Sequence, residues 1–427
     1  MKLITTTALA LAVAALATPA AGAQAQYGNM YSQPQRSQQP PAAAQPSGAA
    51  QPAAPTIKPS AKAAKAILDL QTAVNNKDYA SVPAKVAAAQ AVATTKEDRY
   101  LIARLQLSAA VASNDAAAMS SALDAVAASG VVDSGKLANL YAGLGGTYLN
   151  SKQYAQAAAA YQKAVSLNPG DADSQRLLGV SLFEQGQKAA ALGPLQKAIQ
   201  ASNAKGQKAS EDLYRVAVQA AYDSRSPAAA ELARQWLAAY PSPDSWRNSI
   251  AIYRSLNQTD VEGTLDLMRL LQAAGALQQP SDYAIYIADA AEQSNYNEAQ
   301  AVLDAGIAAK VIDPTSADFR AMVAGMKSRP KASAAELAAA TKSAQTGMAL
   351  LHIGDRYYSM GDYPKALELY RMAQGKSDVD PNIAKLHIGM ALARQGDKAG
   401  ATAAFNGVTG PRADIAKFWL TYVNQKA

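Results

Sequence analysis

Cysteine is absent from the 427 residues, and histidine occurs only twice. Disulfides, thiolate metal sites and cysteine nucleophiles are therefore excluded, and the usual zinc and general-base inventories are nearly empty. No cofactor or metal site is expected. Aromatic residues make up 6%, with 20 Tyr against 4 Phe and 3 Trp. Alanine is the dominant small residue, so close-packed helices suit this composition better than a β-sandwich. Long basic runs are missing too: the net charge is +7, but no five Lys or Arg stand together, which argues against nucleic acid as the partner. What is present is apolar side chain, 49% of the residues against 17% charged. That is enough for one large or two ordinary packed units, and a wholly disordered chain is excluded.

The start of the chain reads as an export signal. Lys2 precedes an apolar run from Ala8 to Ala17 that is too short to span a bilayer, and Ala21-Gly22-Ala23 and Ala23-Gln24-Ala25 each offer a small-x-small cleavage site. Residues 1–23 are expected to be a signal peptide cut near Ala23 or Ala25. No cysteine follows to take a lipid, and no later segment is apolar enough to form an integral membrane span. A bacterial periplasm is the expected location.

Residues 24–60 are Pro-, Gln- and Ala-rich, as in Gln33-Pro34-Gln35 and Gln38-Gln39-Pro40-Pro41. Such a segment has too few large aliphatic residues for a core and reads as a disordered, semi-extended linker. A docking arm using Tyr27, Tyr31 and Arg36 is the alternative.

Amphipathic helices follow from residue 61 to the C-terminus, and they repeat. Leu144, Gly145 and Tyr148 return 34 positions later as Leu178, Gly179 and Leu182, and the same displacement carries Ala157 to Ala191, Tyr161 to Leu195 and Ala164 to Ala198. Further on, Gly354, Ala366 and Tyr370 return 35 positions later as Gly389, Ala401 and Phe405. The best unit, residues 138–171, holds Tyr141, Gly145, Tyr148, Ala157, Tyr161, Ala164 and the phrase Leu167-Asn168-Pro169. Others are 172–205, 347–380 (with Tyr357) and 382–412. These residues resemble the tetratricopeptide repeat family.

The resemblance implies an all-α fold, a right-handed superhelical solenoid of helical hairpins over residues 61–427. Small residues such as Gly145 and Ala157 mark the close crossings, and bulky Tyr148 and Tyr161 fill the adjoining gaps. A helix over 413–422, with Phe418 and Trp419, is expected to cap the last hairpin. Weaker copies cover 66–89, 213–241 and 283–306, whereas 246–271 and 315–340 keep helical periodicity but lose most motif positions, and Gly193-Pro194 predicts a kink inside one helix. Gly143-x-Gly145-Gly146 follows no strand and belongs to a crossing point, so it is not read as a phosphate loop.

The resemblance also implies a concave face lined by the first helix of each hairpin. Carried onto this chain, its groove positions give Arg176, Tyr214, Arg215, Tyr222, Arg247 and Arg254. Arginine and tyrosine together suit an acidic peptide or an anionic glycan, whereas a solvated helix face is the plainer reading of the same residues. The Lys and Asn of a chaperone-type carboxylate clamp are not reproduced; Ala142, Gly146, Val180 and Val218 stand in those places. His352 and His387 occupy equivalent positions of consecutive repeats, without the further ligands zinc needs. A non-catalytic scaffold binding a protein or peptide is the expected function. Two alternatives stay open: an accessory protein of envelope polysaccharide or outer-membrane assembly that holds an anionic polymer, and a secreted enzyme with its site in 244–344.

Overall fold

The computed structural model describes residues 57–425, so the expected signal peptide and most of the expected linker lie outside the described residues. All regular secondary structure among them is helical, and they divide into two compact units, 57–224 and 225–425.

The first unit is built of α1 (Ala64–Asn75), α2 (Val82–Val92), α3 (Lys96–Ala112), α4 (Ala116–Ala128), α5 (Ser134–Asn150), α6 (Tyr154–Leu167), α7 (Ala172–Glu184), α8 (Lys188–Ala204) and α9 (Glu211–Asp223). Consecutive helices pack as antiparallel hairpins. Their starts are set locally by side chains that accept the free amides of the first turn: Thr95 for α3, Asp115 for α4, Asp133 for α5, Asp171 for α7 and Ser210 for α9. The chain stays helical through Pro194, inside the 17-residue α8.

Each crossing glycine meets the large residue sixteen positions on. A Cβ added at Gly145 would lie 2.8 Å from the Tyr161 ring, and one at Gly179 would lie 2.6 Å from Leu195. In the second unit the distances are 2.6 Å from Gly354 to Tyr370 and 2.5 Å from Gly389 to Phe405. Contacts that short leave no room for a side chain, so glycine is what lets the two helices of a hairpin approach. Tyr161, Ala157, Ala164, Ala191 and Ala198 are buried around the first pair of crossings, and Tyr370, Ala366, Ala401 and Phe405 around the second. Tyr141, Tyr148 and Tyr357 are buried as well, while Pro169 is exposed in the turn before α7.

The turn inside most hairpins is left-handed at one residue, those at 257–260 and 328–333 excepted. Gly186, Gly361 and Gly396 hold it with φ of 78°, 82° and 82°. Lys77, Asn114, Lys152 and Ser294 hold the same turn with φ between 53° and 59°, although a side chain there costs about 1 kcal/mol relative to glycine. The hairpin geometry thus does not depend on glycine at the turn, even in the best unit, where Lys152 holds it.

The second unit comprises α10 (Ala228–Ala239), α11 (Pro243–Leu256), α12 (Val261–Ala273), α13 (Pro280–Glu292), α14 (Tyr296–Ala308), α15 (Ala317–Lys327), α16 (Ala334–Ser343), α17 (Gly347–Ser359), α18 (Tyr363–Gln374), α19 (Pro381–Gln395), α20 (Lys398–Asn406), a 3-10 turn at Gly410–Arg412 and α21 (Ala413–Gln425). Its hub is α12, in which every residue from Gly263 to Leu271 is buried. A helix apolar on one stripe needs one neighbour; a helix buried all round needs neighbours on every side.

Helix α21 helps supply them. It covers the last hairpin as expected, with the Phe405 and Trp419 rings stacked at 6.0 Å, and it also packs against α10, α12 and α19. Arg234 on α10 reaches Asp414 at 2.8 Å, Gln425 donates to the Leu237 carbonyl at 3.1 Å, and Arg412 forks onto both oxygens of Asp260 at 2.8 Å. The end of this unit is therefore fastened to its beginning, and its interior is filled where a simple stack of hairpins predicts an open trough.

A candidate partner-binding groove and a buried charge cluster

In the first unit the first helices of two neighbouring hairpins, α3 and α5, frame a cavity of about 570 Å³. Tyr100, Arg104 and Leu107 share one face of α3 at i, i+4 and i+7, and Lys136, Asn139 and Leu140 share one face of α5. Val126 and the loop residues Val131 and Val132 close its floor. Leu140 is 41% exposed, a large apolar side chain left in the open. Lys136 is held by Asp133 at 3.0 Å, whereas Arg104 pairs with no carboxylate among the described residues. An apolar wall beside an unpaired guanidinium can take an apolar side chain next to a carboxylate.

The residues expected to line the groove are placed differently from one another. Arg176 is partly exposed and lies 3.6 Å from Asp173. Arg215 is exposed, Tyr222 is half-buried, and Tyr214 is buried in the packing at 4% exposure. Arg247 and Arg254 belong to the second unit, both on α11. Arg247 is held by Asp282 of α13 at 2.7 Å, and Arg254 is half-buried.

The second unit also encloses a charge cluster around α12. Arg269 forks onto Glu298 of α14 with two hydrogen bonds of 2.8 Å, and also reaches Asp266 at 3.1 Å and Asp355 of α17 at 3.6 Å. His387 of α19 lies between two carboxylates, 3.1 Å from Asp266 and 3.2 Å from Asp355. Tyr286 and Asn295 donate to Glu298, and Tyr370 donates to Asp355, at 2.7–2.8 Å. Two cations thus face three anions in a dry interior. His352, in the equivalent place one repeat earlier, is half-buried and makes none of these contacts.

Burial alone favours a neutral imidazole, but Asp266 and Asp355 outweigh it and push His387 up to about 10. Burial likewise opposes the charge on Asp355, and Arg269 with His387 outweighs it, holding that carboxyl below the usual range. Because the folded His387 binds its proton more tightly than an unfolded histidine, its contribution to stability is complete below pH about 6.5 and is lost as pH rises through about 10. The melting temperature should therefore fall between pH 7 and 10, by about 2–4 °C for each kcal/mol lost. A His387→Met variant, less stable at pH 7, should lack this part of the fall; an unchanged pH slope would show that the imidazole is not charged in the fold.

Sequence reasoning missed this cluster because Asp266 and Arg269 stand in a stretch that has lost the repeat motif and Glu298 in one of its weaker copies. The signal was weak: Asp266 and Arg269 interrupt the apolar run Leu265–Leu271, but Glu262, Asp266 and Arg269 recur at i, i+4 and i+7, the spacing of an ordinary solvated helix face.

Residues 143–205 and 351–414 match the model of the tetratricopeptide repeat family. Both stretches are tetratricopeptide repeats. They contain all four crossing glycines and their partners, and repeats of this kind are generally non-catalytic scaffolds that bind protein or peptide partners. No curated protein matches the chain. Among solved structures it is similar to Naa15/Naa10 bound to HypK-THB, at 13% identity and a TM-score of 0.35, covering 85% of this chain and 65% of that one. It is also similar to the TPR2AB-domain:pHSP90 complex of yeast Sti1, at 15% identity and a TM-score of 0.19, covering 68% of this chain and 93% of that one. A third is the APC/C hetero-tetramer Cut9–Hcn1, at 10% identity and a TM-score of 0.18, covering 86% and 91%. Among the described residues no helix is long and apolar enough to cross a membrane.

Proposed function

We propose that this protein is a non-catalytic scaffold of the bacterial periplasm, and that it holds an acidic peptide segment of a partner protein in the cavity between α3 and α5. The observation that carries the reading is the joining of Leu107, Val132 and Leu140 to an unpaired Arg104 in one cavity between the first helices of neighbouring hairpins. An apolar side chain of the peptide lies against the leucines, and an adjacent carboxylate takes the Arg104 guanidinium. The export signal supports the location.

Selection of displayed peptides on the full chain tests the groove. Enriched sequences should pair an apolar residue with Asp or Glu, and Arg104→Glu or Leu140→Lys should weaken them by about tenfold or more, the loss expected for a charge-assisted contact. Equal binding by both variants would remove the groove from the account. Export is checked separately: protein from the periplasmic fraction should begin at Gln24 or Gln26, and an intact Met1 would place it elsewhere.

A further inference from the structure

The chain enters the first unit at the cavity between α3 and α5. Ile57 lines that cavity together with Tyr100, Arg104, Leu107 and Leu140, and it is itself 37% exposed. Three residues on, Ser60 is fixed. Its amide donates to Asp98 Oδ1 and its hydroxyl to Asp98 Oδ2, both at 2.7 Å. The amides of Thr94 and Thr95 donate to the same carboxylate at 3.0 and 3.1 Å, and Asp98 is fully buried in the first turn of α3. Charge-assisted bonds in that number hold their partners in place, so the stretch from Ile57 to Ser60 is pinned beside the cavity.

The chain that precedes Ile57 must therefore start from the cavity, because consecutive Cα atoms stand 3.8 Å apart across a trans peptide. Positions 46, 49, 52 and 55 are Pro, Ala, Pro and Pro. Three residues make one turn of a polyproline helix, a conformation that would set these four in one apolar row. At about 3.1 Å per residue, four such residues cross the roughly 10 Å between adjoining helices. The receiving surface fits them, since a tyrosine ring beside leucines is the kind of groove that takes proline-rich segments. That surface continues past the cavity at Val111, one turn beyond Leu107 on α3 and 57% exposed.

We propose that residues 46–56 of this chain lie in the cavity in cis, as a strap that a partner peptide must displace; the displacement rests on the reading of the cavity as a peptide groove. The exchange has a physical reason. No Asp or Glu precedes Asp69, so the strap covers the leucines but brings no carboxylate to Arg104. An acidic peptide supplies both contacts. The tether gives the strap a high local concentration, which keeps out peptides that offer the apolar contact alone and sharpens selection for the acidic ones.

Because the chain has no cysteine, Ala54→Cys takes a single spin label. In the full chain the label should broaden the amide signals of Arg104, Leu107 and Leu140 and leave those of α8 sharp. A sample mixing spin-labelled copies with separate isotope-labelled copies should show no broadening. Replacing 46–56 by a Gly-Ser sequence of equal length keeps the tether. It should raise affinity for a Leu-Asp peptide from the display selection about tenfold, as expected where the cavity is open a tenth of the time. Absence of broadening within one chain, or broadening between copies, would overturn the strap, and broadening with unchanged peptide affinity would overturn the displacement. Broadening with no peptide bound by either chain upholds the strap and removes the groove reading. Equal peptide binding by both chains without broadening does the reverse.

Discussion

Replacing Arg269 with methionine is expected to destabilise residues 225–425 by about 3–5 kcal/mol, because one partner is removed from a buried ionic network and the others stay behind. Glu298 would lose both arms of its fork and Asp266 one of its two cations, His387 remaining, while all stay out of contact with solvent. At about 2–4 °C for each kcal/mol, calorimetry should show a drop of roughly 6–20 °C. The double change Arg269→Met with Glu298→Met should recover a large part of this, since apolar replacement of a whole buried pair is often neutral or favourable. A single-variant loss below about 1 kcal/mol would mean that water reaches the cluster, since that is the ordinary value of an exposed pair.

Deleting residues 413–427 gives the second large effect, and it separates two architectures. In an open stack of hairpins each module contacts only its neighbours, so loss of the last helix frays the last hairpin and leaves the far end alone. In this protein α21 also packs against α10 and α12, and Phe418 and Trp419 are fully buried. Removing one such aromatic side chain costs about 3–5 kcal/mol. Hydrogen exchange should accordingly show α10, Ala228–Ala239, losing protection together with α20. Trp419→Ala should reproduce the pattern in milder form. Protection of α10 that survives the deletion would show that its fastening through Arg234–Asp414 and Gln425–Leu237 contributes nothing.

The two stretches that match the repeat family were legible because their identity is written in small residues. Gly145 and Gly179, like Gly354 and Gly389, cannot carry a side chain where the partner ring or leucine presses against them, and steric exclusion of that kind leaves a mark at fixed spacing. The segment 244–344 carried no such mark for two reasons. Its hairpin turns carry no glycine: Ser294 holds one of them, and those at 257–260 and 328–333 have no left-handed residue. Its central helix α12 answers to neighbours on every side, so the two-helix pattern no longer governs which residues stand there.

The groove residues show the same division. Placing binding candidates on the first helix of each hairpin led to Arg247 and Arg254, but whether an arginine on such a helix is free depends on the adjoining helix. Asp282 stands opposite Arg247 and takes it. The cavity between α3 and α5 was not visible, because it needs Arg104 on one helix and Leu140 on the next to face the same space, a matter of register between hairpins.

The amino-acid sequence by itself determined that the chain is helical, that its helices pair at a period of 34 or 35, and which glycines let them cross, because these are local and nearest-neighbour properties. Only the tertiary structure decided that residues 225–425 close upon themselves, and that α12 gathers Arg269, Glu298, Asp355 and His387 into one buried cluster. Those outcomes join residues from distant helices, and the attraction of buried charges acts through space, leaving no period in the sequence to read.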